Sequence, residues 1–117
     1  MARILVVDDE RTLRLLYEVE LTQEGHEIAT AATADEGIEK VRNEDWDLVV
    51  LDIRMPGKDG LEALGEMLAE RRDIKVIINS AYSTYKDNFM SWAAEDYVVK
   101  SADLTELKEK IVEVLAR

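Results

Sequence analysis

The chain is 117 residues long, the size of one domain able to bury its own core, and its apolar fraction of 47% fits a globular fold. It contains no cysteine, which excludes disulfides, thiolate nucleophiles and zinc–thiolate sites and fits a reducing compartment. Its 26 acidic residues against 15 basic ones give a formal charge of −11, and no lysine or arginine cluster offers a grip on phosphate backbones, so nucleic-acid binding by this domain is not expected. The apolar runs are of strand length, well short of the roughly 18 to 20 residues of a membrane span, and the N-terminus lacks the apolar core of a secretory signal. A soluble, cytoplasmic protein with no membrane contact is expected.

Taken in chain order, Ile4-Leu5-Val6-Val7 reads as a buried strand ending in the acid pair Asp8-Asp9. Residues 11–24 read as a helix with Leu13, Leu16, Tyr17 and Leu21 facing inward, closed by Gly25. His26 falls in a loop, where a surface position is expected, and residues 27–31 give a weaker strand. Thr33 with Glu36 marks the start of the second helix. The run Leu48-Val49-Val50-Leu51 is the third strand and ends in Asp52; Trp46, just before it, is expected to pack locally. Met55-Pro56-Gly57 is a strong loop signal, and Asp59 with Glu62 starts the third helix.

The fourth strand, Val76-Ile77-Ile78-Asn79, ends in Ser80. Residues 84–94 read as the fourth helix, but Phe89, Met90 and Trp92 cannot all share one face, so a large apolar side chain there is expected to meet solvent or a partner. Tyr97-Val98-Val99 is the fifth strand and ends in Lys100. Asp103 with Glu106 suggests a capping box for a last helix, with Leu104, Leu107, Ile111, Val114 and Leu115 on one face. With no Gly/Ser-rich linker, repeat or low-complexity tract, the expectation is a single domain over 1–117 without an effector domain in this chain.

Strand-length apolar runs alternating with helical segments indicate an α/β domain of five β-α units around a parallel sheet. A doubly wound sheet of this kind carries its ligand site outside the C-terminal ends of the strands. Asp8, Asp9, Asp52, Ser80 and Lys100 are all assigned to that edge. Clustered carboxylates need a counter-ion, and a hard divalent cation such as Mg²⁺ suits an all-oxygen donor set.

The same residues carry a resemblance. Asp8-Asp9, Asp52 in Leu-Asp-Ile-Arg-Met-Pro-Gly, Gly60, Ser80-Ala81, Tyr97 and Lys100 stand in the order found in receiver domains of two-component response regulators, and the chain resembles that family over essentially its whole length, as a stand-alone, chemotaxis-regulator-like member. The resemblance implies a flavodoxin-like (βα)5 doubly wound sandwich whose five-stranded parallel sheet has the order 2-1-3-4-5. It implies that Asp52 accepts a phosphoryl group from a histidine kinase or a histidine phosphotransfer protein in a phosphorelay, with Mg²⁺ as cofactor. By the same analogy Asp9 and Asp52 ligate the metal, Asp8 acts largely through water, and the Arg54 backbone carbonyl adds a ligand. Lys100 and Ser80 would contact the phosphoryl oxygens. Ser80 and Tyr97 would act as the switch, reshaping the surface of the fourth helix, fifth strand and fifth helix for a downstream protein target. The expected protein is a signalling phosphoacceptor that assists its own phosphorylation and dephosphorylation rather than an enzyme, and a monomer or weak dimer.

Chemistry agrees with the resemblance, since an ionised aspartate attacks without a general base and Mg²⁺ with Lys100 balances the three acids in formal charge. A cofactor binder of flavodoxin type would need a phosphate cradle where Asp8-Asp9-Glu10 stands. A small-molecule aspartyl-phosphate hydrolase would need an acid where Arg54 stands. The remaining alternative is a degenerate receiver acting as a phosphorylation-independent binding module, but no acid or lysine of the pattern is lost. The departure from the family is Ser101 in place of the usual proline after the lysine, where a cis peptide would cost about 2.5 to 4 kcal/mol. Arg54 and Tyr82 occupy positions that influence phosphate loss in the family, and their bulk predicts slow loss. Alanine at both should shorten the lifetime of the phosphorylated protein followed by intact mass; an unchanged lifetime would dismiss that role for their bulk.

Overall fold

The computed structural model describes residues 2–53, 57–81 and 93–117. Within them lie β1 (Arg3–Val7), α1 (Arg11–Gln23), β2 (Glu27–Ala31), α2 (Ala34–Asn43), β3 (Leu48–Leu51), α3 (Gly60–Glu70), β4 (Val76–Ser80), β5 (Asp96–Val99) and α4 (Thr105–Leu115). All strand pairings are parallel and the sheet order is β2-β1-β3-β4-β5. This is the flavodoxin-like α/β arrangement that the sequence predicts, and no described helix is long and apolar enough to cross a membrane.

The three central strands are apolar at nearly every position because helices cover both faces of the sheet. Leu5, Val7, Val49, Leu51 and Ile78 face α2 and α3, where they pack with Ile38, Val41, Leu64 and Met67. The alternate residues Ile4, Val6, Leu48, Val50 and Ile77 face α1 and α4, packing with Tyr17, Leu21, Leu107, Ile111 and Val114. β2 is an edge strand and is only half-buried, so its sequence carries the weaker apolar signal. Trp46 packs locally as expected: its Nε1 donates to the Lys40 carbonyl at 3.0 Å, and the Arg3 guanidinium lies 4.5 Å from the centre of its ring.

Two of the three predicted helix starts are seen in full. The Thr33 hydroxyl accepts from the Glu36 N–H at 3.1 Å, and Asp59 Oδ1 accepts from the Glu62 N–H at 2.9 Å. The third differs: Leu104, not Asp103, is the N-cap residue of α4, without a side-chain cap. Asp103 Oδ1 instead accepts from the Thr105 N–H at 2.9 Å and the Thr105 hydroxyl at 2.6 Å, holding the turn that leads into the helix. Gly25, at φ +93°, follows α1 in the left-handed region that favours glycine. His26 is half-buried rather than on the surface, and its Nδ1 is shielded from solvent with no partner among the described residues. The helix expected over 84–94 lies outside the described residues except for its last two.

Gly60 fixes how α3 meets the end of β3. Its N–H donates to the Ile53 carbonyl at 2.6 Å, and a Cβ there would overlap the Asp52 carbonyl oxygen and the Ile53 Cα. The φ of Gly60 is not positive, so the requirement is for space rather than for a left-handed conformation. Backbone cannot yield as a flexible side chain can, so Gly60→Ala should destabilise the fold by about 3 kcal/mol in denaturant unfolding. A loss below about 0.5 kcal/mol would mean that α3 shifts freely.

Candidate functional site

The C-terminal edge of the sheet gathers the predicted residues by extending its own hydrogen-bond ladder. The Asp8 N–H donates to the Ala31 carbonyl at 3.1 Å, the Asp52 N–H to the Val7 carbonyl at 3.0 Å, and the Lys100 N–H to the Ser80 carbonyl at 2.6 Å. Each site residue therefore inherits the rigidity of the strand it follows. Asp8 and Asp52 are 1% and 5% exposed, while Asp9 is the most accessible of the three acids. One carboxylate oxygen from each of Asp8, Asp9 and Asp52 lies within 4.8 Å of the others.

Lys100 closes this group from β5. Its Nζ lies 2.7 Å from Asp8 Oδ2 and 3.2 Å from Asp52 Oδ2, with the lysine side chain only 13% exposed. Burial pulls the ammonium toward neutrality, but the hydrogen bond it donates to Asp8 and the charges of Asp52 and Asp8 outweigh it, so the pKa of Lys100 is raised above its ordinary value. The lysine is thus held charged between two carboxylates. Among the described residues, the three acids and the Lys100 ammonium leave two formal negative charges, a donor set that fits a hard divalent cation with oxygen ligands. Asp8, Asp9 and Asp52 are the side chains that could hold it.

Smaller contacts aim the acids. Asp8 Oδ1 accepts from the Glu10 N–H at 2.9 Å, so both Asp8 oxygens are engaged, one by backbone and one by Lys100. Arg14 on α1 donates through Nη1 to the Asp8 carbonyl at 2.7 Å. The sequence reading passed over Arg14, whose one available signal is its place six residues after Asp8, on the first helix turns that follow the acid pair. It also passed over Asn79 and Tyr17 as a pair. Asn79 Nδ2 donates to Tyr17 Oη at 2.9 Å, both side chains being buried.

Ser80 is fully buried at the end of β4. Tyr97 is half-buried and packs against the apolar cluster on the α2 and α3 side. The Lys100–Ser101 peptide is trans, no cis bond occurring among the described residues. The loop adjusts instead through Ser101 Oγ, which accepts from the Asp103 N–H at 3.1 Å. Arg54, expected to offer a backbone carbonyl, and Tyr82 lie outside the described residues.

Comparison with known proteins agrees with this geometry. The model of the response regulator receiver domain matches residues 4–112. The response regulator ArlR of Staphylococcus aureus is 33% identical over 118 residues, covering all of this chain and 54% of the relative, so the chain spans about half the length of the curated relatives it matches. The response regulator TrrA from Thermotoga maritima, solved in complex with Mg²⁺ and BeF, is 49% identical with a TM-score of 0.94, over 97% of this chain and 99% of that one. A structure of histidine kinase ThkA in complex with TrrA matches at 50% identity and a TM-score of 0.92, over 98% of this chain and 99% of that one. A family match over nearly the whole chain, on a sheet whose strand ends bring together Asp8, Asp9, Asp52 and Lys100, places this protein among the response regulator receiver domains of two-component signalling.

Proposed function

We propose that residues 1–117 form one receiver domain that takes a phosphoryl group on Asp52 from a phosphohistidine of a histidine kinase or phosphotransfer protein, with Mg²⁺ bound, and passes the signal to a protein target. The observation that carries this reading is the grouping of Asp8, Asp9 and Asp52 with the Lys100 ammonium in contact with two of them. The TrrA relatives support it from two sides, one solved with Mg²⁺ and BeF and one with a histidine kinase. Beryllium fluoride is tetrahedral and anionic, and stands in for a phosphoryl group on a carboxylate.

In the proposed transfer an Asp52 carboxylate oxygen forms a bond to phosphorus as the bond from phosphorus to the histidine nitrogen breaks, the electron pair leaving on that nitrogen. Asp9 and Asp52 would hold the metal directly, with Asp8 acting largely through water and the Arg54 carbonyl contributing. A bound Mg²⁺ supplies positive charge beside the transferring phosphoryl group. Lys100, already held charged within reach of Asp52, would pair with a phosphoryl oxygen, and the Ser80 hydroxyl would donate to another. Ser80 and Tyr97 would then carry the change to β5, α4 and the helix expected over 84–94.

Incubation with a small-molecule phosphodonor should add one phosphoryl group to the intact protein, dependent on Mg²⁺ and absent in Asp52→Asn. No adduct under any condition would reject the phosphoacceptor and favour a binding module. Asp9→Asn removes one of the like charges without breaking the two Lys100 ion pairs. It should stabilise the metal-free protein by on the order of 1 kcal/mol at low salt, a rise of a few degrees in Tm, and abolish further stabilisation by added Mg²⁺. Native-like Mg²⁺ stabilisation in this variant would take Asp9 out of the metal site.

A further inference from the structure

The row of the sheet that carries the acids also contains an amide. Val6, Val50 and Ile77 are partners across β1, β3 and β4, and two residues beyond them stand Asp8, Asp52 and Asn79. Side chains two apart on a strand share a face, so Asn79 lies on the α1 and α4 side of the sheet, in line with Asp8 and Asp52. Buried amides are costly without partners, and Asn79 is 3% exposed. Its Nδ2 donates to Tyr17 Oη at 2.9 Å, across 62 positions of sequence. Tyr17 is itself 1% exposed and belongs to the buried apolar cluster that includes Leu21, Ile77 and Val98. Burial raises the Tyr17 pKa, against the lowering effect of the hydrogen bond from Asn79.

Asn79 is therefore the point at which the C-terminal end of β4 is tied to α1. The next residue is Ser80, whose carbonyl is the acceptor for the Lys100 N–H. We infer that the hydrogen bond between Tyr17 and Asn79 is a positioning device that restrains the end of β4, and so opposes the advance of Ser80 on a phosphoryl group held at Asp52. It rests on the proposed role of Asp52 and sets the balance between the unphosphorylated and phosphorylated forms. A single neutral hydrogen bond made in one form and loosened in the other shifts such a balance by up to about tenfold.

The test separates geometry from stability. Tyr17→Phe or Asn79→Leu alone strands one buried polar group and should lower Tm, whereas the double variant Tyr17→Phe with Asn79→Leu removes both and should recover most of the loss. Beryllofluoride affinity, measured by calorimetry in Mg²⁺, should nevertheless be raised about threefold to tenfold in the double variant. Recovered Tm with native beryllofluoride affinity would make the pair a structural contact only and overturn the inference. Should the double variant fail to fold, Tyr17→Phe keeps the volume of the site and decides the matter in the same way: raised affinity supports the tether and native affinity overturns it. Failure of the native protein to bind beryllofluoride in Mg²⁺ would instead overturn the phosphoacceptor reading, and this inference with it.

Discussion

Lys100 lies between two buried carboxylates that come from different strands, and the charge balance at the C-terminal edge of the sheet depends on that contact. Removing Asp8 and Asp52 from water is costly, and their mutual repulsion adds to the cost. The ammonium offsets part of both, at the expense of its own desolvation, and its raised pKa records that the carboxylates win. A buried arrangement of this kind contributes little net stability compared with an apolar core of the same volume. What the arrangement offers instead is chemistry, because the negative charge left over among the described residues suits a divalent cation.

Backbone, more than side chains, holds the acids in place. Asp8, Asp52 and Lys100 each continue a strand ladder through their own N–H groups, so their Cα positions are set by the sheet. Gly60 lets α3 press against the carbonyl of Asp52, and Arg14 ties α1 to the carbonyl of Asp8. Tyr17 and Asn79 add a third tie between helix and sheet. Helices on both faces thus brace the same short stretch of strand ends. At the opposite end of the sheet, Arg3 bridges Glu27 and Glu44 and covers Trp46, in a partly solvated network. Pairs that exposed are worth little individually, and their role is to close the bottom of the domain.

The sequence carries the fold wherever local chemistry and burial coincide. Ile4 to Val7 and Leu48 to Leu51 are apolar throughout because the central strands are covered twice, and that makes them legible as runs. β2 is an edge strand and gives a weaker signal for the same reason. Thr33 and Asp59 announce their helices because a cap is a local hydrogen bond. Asp103 misleads by one residue, since its oxygen serves two Thr105 donors in a turn rather than a reciprocal box.

Asp8, Asp9, Asp52, Ser80 and Lys100 were all determined as site candidates by the sequence alone, because in a parallel α/β sheet a polar residue ending an apolar run must arrive at the ligand edge. Tertiary structure alone decided their partners: that Lys100 contacts Asp8 more closely than Asp52, that Arg14 grips a carbonyl, and that Asn79 meets Tyr17. It also decided that the peptide before Ser101 is trans and that Gly60 is needed for space. These are contacts between segments far apart in the chain, or clearances against backbone. Periodicity and capping rules describe neighbours on one element, so they place a residue at an edge but cannot say which atom it meets there.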